Sequence, residues 1–405
     1  MYALNSNVVL RFEPQFHSTY AAFDSKRVRT SFYHRDEFEV LDYLARAPSE
    51  LDEICQSLKA DRARTKDFLD SQIKSGFVVK HRKGEPFSPV HVPPRMEPDD
   101  FGAFPSPFLS APSTVDVFLT RACNLKCSHC FSQGGRPLRD ELSFQEWISV
   151  LDQLEDVGVL QLRLNGGEPF MRRRIHDILL HLKRIRCFKV IITNGTMLDE
   201  KAIDALVDCD ITPTVSLDGA TARVHDDFRG VPGAFDRAMR ALRLIQQKGV
   251  TYGINTCVHS GSIRQIEDMI QLAIKYGAAR ISFLGLSEVG RLAATRKNLV
   301  SGQEYVLLGL SLVRLARRYR DRIDVSETVA SRGVPLESAG LFTCSIDSNG
   351  DVYPGNLVLG DTRNRIGSLR EAPLRRLWFS RRWIPFRKTL SKFSMLGVKD
   401  VRHQP

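Results

Sequence analysis

The chain has 405 residues, length for two to three domains at roughly 100–200 residues each. Hydrophobic residues at 42% and charged residues at 26% are the values of a folded globular chain and exclude a disordered or collagen-like one. The net charge of +11 invites a nucleic-acid reading, but from Arg363 onward twelve Lys or Arg stand against only Glu371 and Asp400, so the excess is local and no nucleic-acid partner is expected. No apolar run approaches the roughly 18 to 20 residues of a membrane span, and Met1-Tyr-Ala-Leu opens no signal sequence; a cytoplasmic protein without a membrane partner is expected. Eight cysteines are too few for a disulfide scaffold, and three of them crowd into residues 123–130.

In chain order, Val8–Phe12, Thr19–Phe23 and Arg27–Phe32 read as short strands. Ser49 is placed to cap a helix with the apolar stripe Leu51, Ile54, Cys55 and Leu58, and a second helix carrying Phe68, Leu69 and Ile73 ends at Gly76. A strand at Phe77–Val79 completes a winged-helix-like α+β unit over residues 1–83. Its would-be recognition helix mixes Arg64, Lys66 and Lys74 with Asp67 and Asp70, a poor design for phosphate contact. Eight prolines between Gly84 and Ser113 forbid regular helix and mark a linker.

Beyond the linker, apolar strands near 114–120, 160–164, 188–193, 211–216, 250–257 and 279–285 alternate with helical patterns, the signature of parallel βα units. One such helix opens on the capping box Ser143-Phe-Gln-Glu146. The fold class expected is α/β: a partial (β/α)6 TIM-type barrel over 114–325, preceded by the α+β domain and followed by a small α/β extension over 326–405. Chemistry in such folds sits at the C-terminal ends of the strands. In the basic C-terminal segment Leu374, Leu377, Trp378, Trp383, Ile384 and Phe386 interleave with the charges, so an amphipathic end packed on the body is expected.

Directly after the first of these strands stands Cys123-Asn-Leu-Lys-Cys127-Ser-His-Cys130-Phe131. Three thiolates on one loop can hold three irons of a [4Fe–4S] cluster and leave the fourth open. The alternatives are a cluster used only for electron transfer, or zinc, which wants a fourth ligand that His129, lying between two of the cysteines, reaches awkwardly.

The triplet followed by an aromatic residue resembles the radical S-adenosylmethionine (radical SAM) superfamily. The resemblance implies that Cys123, Cys127 and Cys130 hold the cluster and that the open iron takes S-adenosylmethionine, which an electron splits to give a 5′-deoxyadenosyl radical. Phe131 would lie against the adenine. Asn165-Gly166-Gly167-Glu168-Pro169 is similar to the family's Gly-Gly-Glu-Pro segment, whose backbone and Glu meet the amino group of S-adenosylmethionine. Asn194, Ser216 and Asp218 resemble positions near the cofactor, Arg229 the arginine on its carboxylate, and Asn255 a ribose contact.

Fused to such a barrel, residues 1–83 resemble the PqqD-like recognition element of ribosomal peptide maturases, which adds a precursor's leader to a sheet edge. Here the edge would be Arg27–Phe32, with Arg27 and Arg29 suited to an acidic leader. A reducing donor such as flavodoxin or ferredoxin would supply the electron. Residues 340–356, around Cys344 and Tyr353-Pro354, resemble the SPASM/twitch-type extension, but Gly355 stands where a cysteine is expected and none follows Cys344, so no auxiliary cluster is expected. Cys344 is then a buried remnant or a thiol near the substrate, and His259 and Glu288 are candidate proton acceptors. The function expected is radical modification of a ribosomally made precursor peptide by crosslinking, epimerisation or backbone excision. A radical SAM enzyme of small-molecule, cofactor or haem biosynthesis and a redox-sensing nucleic-acid-binding regulator are the alternatives.

Overall fold

The structure is a computed structural model that describes residues 1–13, 19–24, 29–90, 92–93, 108–295, 298–328 and 340–388. The N-terminal unit contains β1 (Tyr2–Leu4), β2 (Val8–Glu13), β3 (Thr19–Asp24), β4 (Arg29–Tyr33), α1 (Arg35–Arg46), α2 (Leu51–Leu58), α3 (Arg62–Ser75) and β5 (Val78–Lys80). β2, β3 and β4 form an antiparallel sheet with β4 at one edge, and β1 pairs with β5. Apolar faces of the helices meet Tyr2, Leu4, Val8 and Leu10 in a separate core around Phe38, Leu41, Leu44, Ile54, Leu69 and Phe77. The expected strand at Arg27–Phe32 is thus found as β4, while Arg27 itself lies outside the described residues. Ser49 does not cap α2; Glu50 does, and Ser49 bridges instead to Tyr2. α3 ends as expected at Gly76, whose φ of 85° suits a residue without Cβ. Among the linker prolines, 94, 98, 105 and 107 lie outside the described residues.

The larger unit runs β6 (Thr114–Phe118), α4 (Phe144–Asp156), β7 (Gln161–Asn165), α5 (Ile175–Leu182), β8 (Phe188–Thr193), α6 (Glu200–Asp208), β9 (Ile211–Ser216), α7 (Ala222–Arg229), α8 (Ala234–Gln247), β10 (Gly253–Cys257), α9 (Ile266–Lys275), β11 (Arg280–Leu284), α10 (Arg291–Thr295), α11 (Gly302–Tyr319) and β12 (Asp324–Thr328). β13 (Thr343–Ile346), β14 (Asp351–Tyr353), β15 (Gly367–Ser368), α12 (Leu374–Trp378) and α13 (Ile384–Lys388) follow. All six expected strands are present, and the sheet continues further, in the order β12-β11-β10-β9-β8-β7-β6-β13-β14-β15. Pairing is parallel from β12 to β13 and antiparallel beyond it. β12 runs across the boundary expected at 325, because the polar stretch Asp324-Val-Ser-Glu-Thr328 finds its partner strand only in space.

Alternate residues of the strands enter one helix-covered core: Val115 and Val117, Leu162 and Leu164, Ile211 and Val215, Ile281 and Phe283. Polar and half-buried residues, Asp116, Arg163, Ser216, Asn255 and Ser282 among them, occupy the alternate positions. α12 and the turn before α13 bury Leu374, Leu377, Trp378 and Trp383, so the basic segment packs on the body as expected over its described part. Arg11 ties the two units: its guanidinium donates to the carbonyls of Ala111 (2.6 Å) and Gly158 (3.4 Å).

A candidate cluster site at the strand ends

The Cys123–Phe131 loop leaves the end of β6 and is held by its neighbours' backbones. Cys123 donates its N–H to Gly135 O (2.9 Å), Lys126 to Arg229 O (3.1 Å) and Ser128 to Phe228 O (3.2 Å). Leu125 and Cys127 pack on Ala234 in a small apolar cluster that also takes Cys123 and Cys130. The three expected cysteines are therefore brought together. Donors face each sulfur: Leu125 N at 3.4 Å from Cys123 Sγ, Gly134 N at 3.3 Å from Cys130 Sγ and Arg229 Nη1 at 3.8 Å from Cys127 Sγ. Burial pushes the Cys123 thiol up to about 11.

The glycines after β7 pack backbone on backbone against this loop. Gly167 N donates to Thr120 O and Glu168 N to Ala122 O, both at 2.7 Å. A Cβ on Gly167 would stand 2.3 Å from Ala122 O, and one on Gly166 2.7 Å from Thr120 O. Glu168 is fully buried; Thr193 Oγ1 (2.7 Å) and Phe170 N (3.3 Å) donate to one carboxylate oxygen and Asn194 N (2.8 Å) to the other. Burial outweighs these donors and lifts its carboxyl to about 7. Pro169 begins a short turn of 3-10 helix. Asn194 accepts from Thr196 N and donates to Asn124 Oδ1 (2.9 Å), joining the end of β8 to the cysteine loop.

After β9, Asp218 is a hub. Its carboxylate pairs with Arg229 Nε at 2.5 Å and accepts from Cys257 N (2.9 Å); its own N–H donates to His225 Nδ1 (3.1 Å). Burial works against both charges, yet each holds the other ionised: Asp218 stays below, and Arg229 above, its ordinary range. Phe228, the residue before Arg229, is stacked between two imidazoles, His129 (centroids 4.1 Å apart) and His259 (3.9 Å), with both pairs of rings within 3° of parallel. Burial drops His129 to about 3, so the sandwich is neutral near pH 7.

Residues 117–273 match the radical SAM superfamily. The mycofactocin maturase MftC of Mycobacterium ulcerans is 32% identical over 269 residues, 62% of this chain and 70% of that protein. This chain belongs to the radical SAM superfamily. The AdoMet-dependent haem synthase of Oleidesulfovibrio alaskensis is 32% identical over 189 residues, 46% of this chain; the match spans about half that relative's length, 49%. Among solved structures, Streptococcus suis SuiB bound to precursor peptide SuiA shares the fold with a TM-score of 0.73 at 17% identity, covering 95% of this chain and 90% of that one.

Radical SAM proteins bind a [4Fe–4S] cluster and S-adenosylmethionine, and solved neighbours hold the latter. The residues here fit the cluster: three thiols in one apolar nest, each faced by an N–H donor, with a glycine cradle that admits no side chain beside them. Among the described residues no three His, Cys, Asp or Glu converge tightly enough for a single metal ion. Phe131 meets Phe118 edge-on at 6.0 Å, and Ser216 and Asn255 lie half-buried and register-paired on β9 and β10.

Several expected site residues have other partners. Asp218 is wholly buried, with its carboxylate paired to Arg229. Arg229 spends its Nε on Asp218 and aims Nη1 at Cys127, not into open space. His259 accepts from Gly261 N at Nδ1 (3.2 Å), so its proton sits on Nε2 against Asp218 O (3.0 Å) and neither nitrogen is left to accept one. Cys344 is 0% exposed and shares the helix-covered core with Ile346. Glu288 is exposed on the loop after β11. Cys257, to which no motif points, ends β10 beside Asp218 and packs with Phe228, Leu286 and Leu292.

Three residues without a motif complete the frame. Arg291 donates to Cys127 O (3.1 Å) and to Gly134 O, and Gly290 leaves no room for a Cβ against Cys130 O. Arg121 forks onto Asp347 at 2.8 and 2.6 Å, fastening the cysteine loop to the turn between β13 and β14.

Proposed function

We propose that this radical SAM enzyme modifies a ribosomally made precursor peptide whose leader docks on the N-terminal unit. Cys123, Cys127 and Cys130 are assigned as the cluster ligands; Gly166, Gly167 and Glu168, with Asn194, Ser216 and Asn255, frame S-adenosylmethionine, and Phe131 flanks its adenine. Together the cluster and S-adenosylmethionine supply a 5′-deoxyadenosyl radical for hydrogen abstraction. The chain's own part is to hold the thiols with Leu125, Gly134 and Arg229, and to exclude water beneath them with the His129–Phe228–His259 stack.

The observation carrying the peptide reading is the reach of the fold likeness. It covers 95% of the chain, so most of the N-terminal unit falls within it, and the neighbour was solved with its precursor peptide. A leader added to β4 would gain main-chain hydrogen bonds that a small substrate has no use for. The haem synthase relatives favour a second reading, a porphyrin substrate.

The test is anaerobic reconstitution followed by quantification of 5′-deoxyadenosine with dithionite, beside a Cys127→Ala control. A precursor peptide encoded next to the gene is then added, with or without its leader, and its mass is read; an iron coproporphyrin is the competing substrate. Leader-dependent mass change in the peptide supports the proposal. Turnover of the porphyrin with an untouched peptide overturns it.

A further inference from the structure

α11 is amphipathic in an unusual way. Its inner face is ordinary, with Leu308, Leu312, Leu315 and Tyr319 in the core. Its outer face also carries large apolar side chains: Val306 is 65% exposed, Leu307 64%, Leu310 67% and Val313 43%. Spaced at i, i+1, i+4 and i+7, they form one continuous stripe over the first turns of the helix. An exposed apolar stripe of this kind marks an interaction surface.

Three features define the partner. The stripe ends in Arg314 and Arg317, neither of which pairs with a carboxylate among the described residues, while Glu304 turns back to accept from Ser301 N at its own helix start. The surface is therefore apolar at its centre and cationic at its end, complementary to an acidic protein. One helix face falls short of the roughly 1,200 Å² that a stable interface buries, which suits a transient encounter and not a permanent subunit. Finally, α11 stands next to the cluster frame. Tyr305 accepts Leu286 N at 3.1 Å, Leu286 packs on Phe228, and Phe228 stacks on His129 between two of the cysteines.

We infer that the outer face of α11 is the landing surface for an acidic one-electron carrier protein that reduces the cluster. The transfer moves one electron: the carrier is oxidised by one, the cluster reduced by one, and no bond or proton changes place. The inference rests on the cluster and not on the peptide, so a failed peptide assay leaves its test untouched.

The experiment mixes the reconstituted protein with reduced flavodoxin in an anaerobic stopped-flow and follows bleaching of the cluster absorbance, without S-adenosylmethionine or substrate. Dithionite, which needs no docking, is the parallel arm. Wild type is expected to be reduced by flavodoxin at a rate that falls with added salt. In R314E/R317E that rate falls roughly tenfold and loses its salt dependence; L307S/L310S slows it comparably, and the dithionite rate is unchanged in both. Flavodoxin rates equal to wild type in both variants overturn the inference, as does a wild type that neither flavodoxin nor a ferredoxin reduces. A wild-type dimer by light scattering that L310S dissociates, with the carrier rate unmoved, assigns the stripe to a second copy instead.

Discussion

Arg229 stands 2.5 Å from the Asp218 carboxylate with Nε and 3.8 Å from the Cys127 sulfur with Nη1, so one buried guanidinium joins the end of β9 to the cysteine loop. Removing one partner of a buried ion pair leaves the other charge without compensation. Arg229→Met is expected to cost roughly 3 to 5 kcal/mol of stability. Adding Asp218→Asn to it should recover a large part of that loss. Urea unfolding of both singles and the double closes the cycle; a double as damaging as the two singles summed would mean that the pair has no coupling of its own.

Gly167 offers a sharper test of the loop's architecture. A Cβ there meets Ala122 O at 2.3 Å and Arg121 O at 2.5 Å, and both are backbone atoms that cannot swing aside. Gly167→Ala should displace the cysteine loop, so iron bound after reconstitution falls steeply while far-UV circular dichroism stays near wild type. Gly253→Ala is the matched control, since its nearest neighbour is a Thr214 side chain at 3.5 Å. Equal iron content in the two variants would show that the packing at Gly167 is dispensable.

What could be read in advance was what lies contiguous in the chain. The cysteine triplet, the double glycine and the strands that precede them are local patterns, and the structure brings them together at adjacent strand ends. Partnerships made across the fold left no local mark. Arg121 finds Asp347 226 residues away and Arg291 finds Cys127 O 164 away, and nothing in either neighbourhood announces it. Cys344 was ambiguous for the opposite reason: only the period of two along β13 puts it on the same side as Ile346 and so into the core. β12, with Val325 as its sole aliphatic residue, is a strand because β11 lies beside it.

Arg387 anchors the C-terminal helices by chemistry that composition hides. It is wholly buried, donates to Gly340 O (2.6 Å) and Trp378 O (2.8 Å), and lies 3.4 Å over the ring of Phe108. Burial lowers its guanidinium to about 9. Arg387→Lys should not rescue it, because an ammonium cannot serve two carbonyls in a plane and stack at once. Both Arg387→Lys and Arg387→Met are expected to lose about 2 to 4 kcal/mol by urea unfolding. A lysine variant as stable as wild type would reduce the site to a simple positive charge.

Glu168 makes the last prediction, on pH. Its folded carboxyl titrates near 7 against an ordinary 4.5, so between those values the native state keeps a proton that the unfolded chain has released. Stability from this group therefore falls as pH rises through that window and is flat above it, a change of about 3 kcal/mol. The buried histidines act oppositely. His129 and His225 are lowered to about 3 and about 4, so their contribution grows as pH rises toward 6.5, and the total profile mixes both signs. The difference between wild type and Glu168→Gln isolates the carboxyl. Measured on cluster-free protein by urea unfolding at pH 5 and at pH 7.5, that difference should move against wild type by most of the 3 kcal/mol. A difference independent of pH would mean that the three donors from Thr193, Phe170 and Asn194 hold the carboxylate ionised throughout, leaving it charged before any ligand arrives.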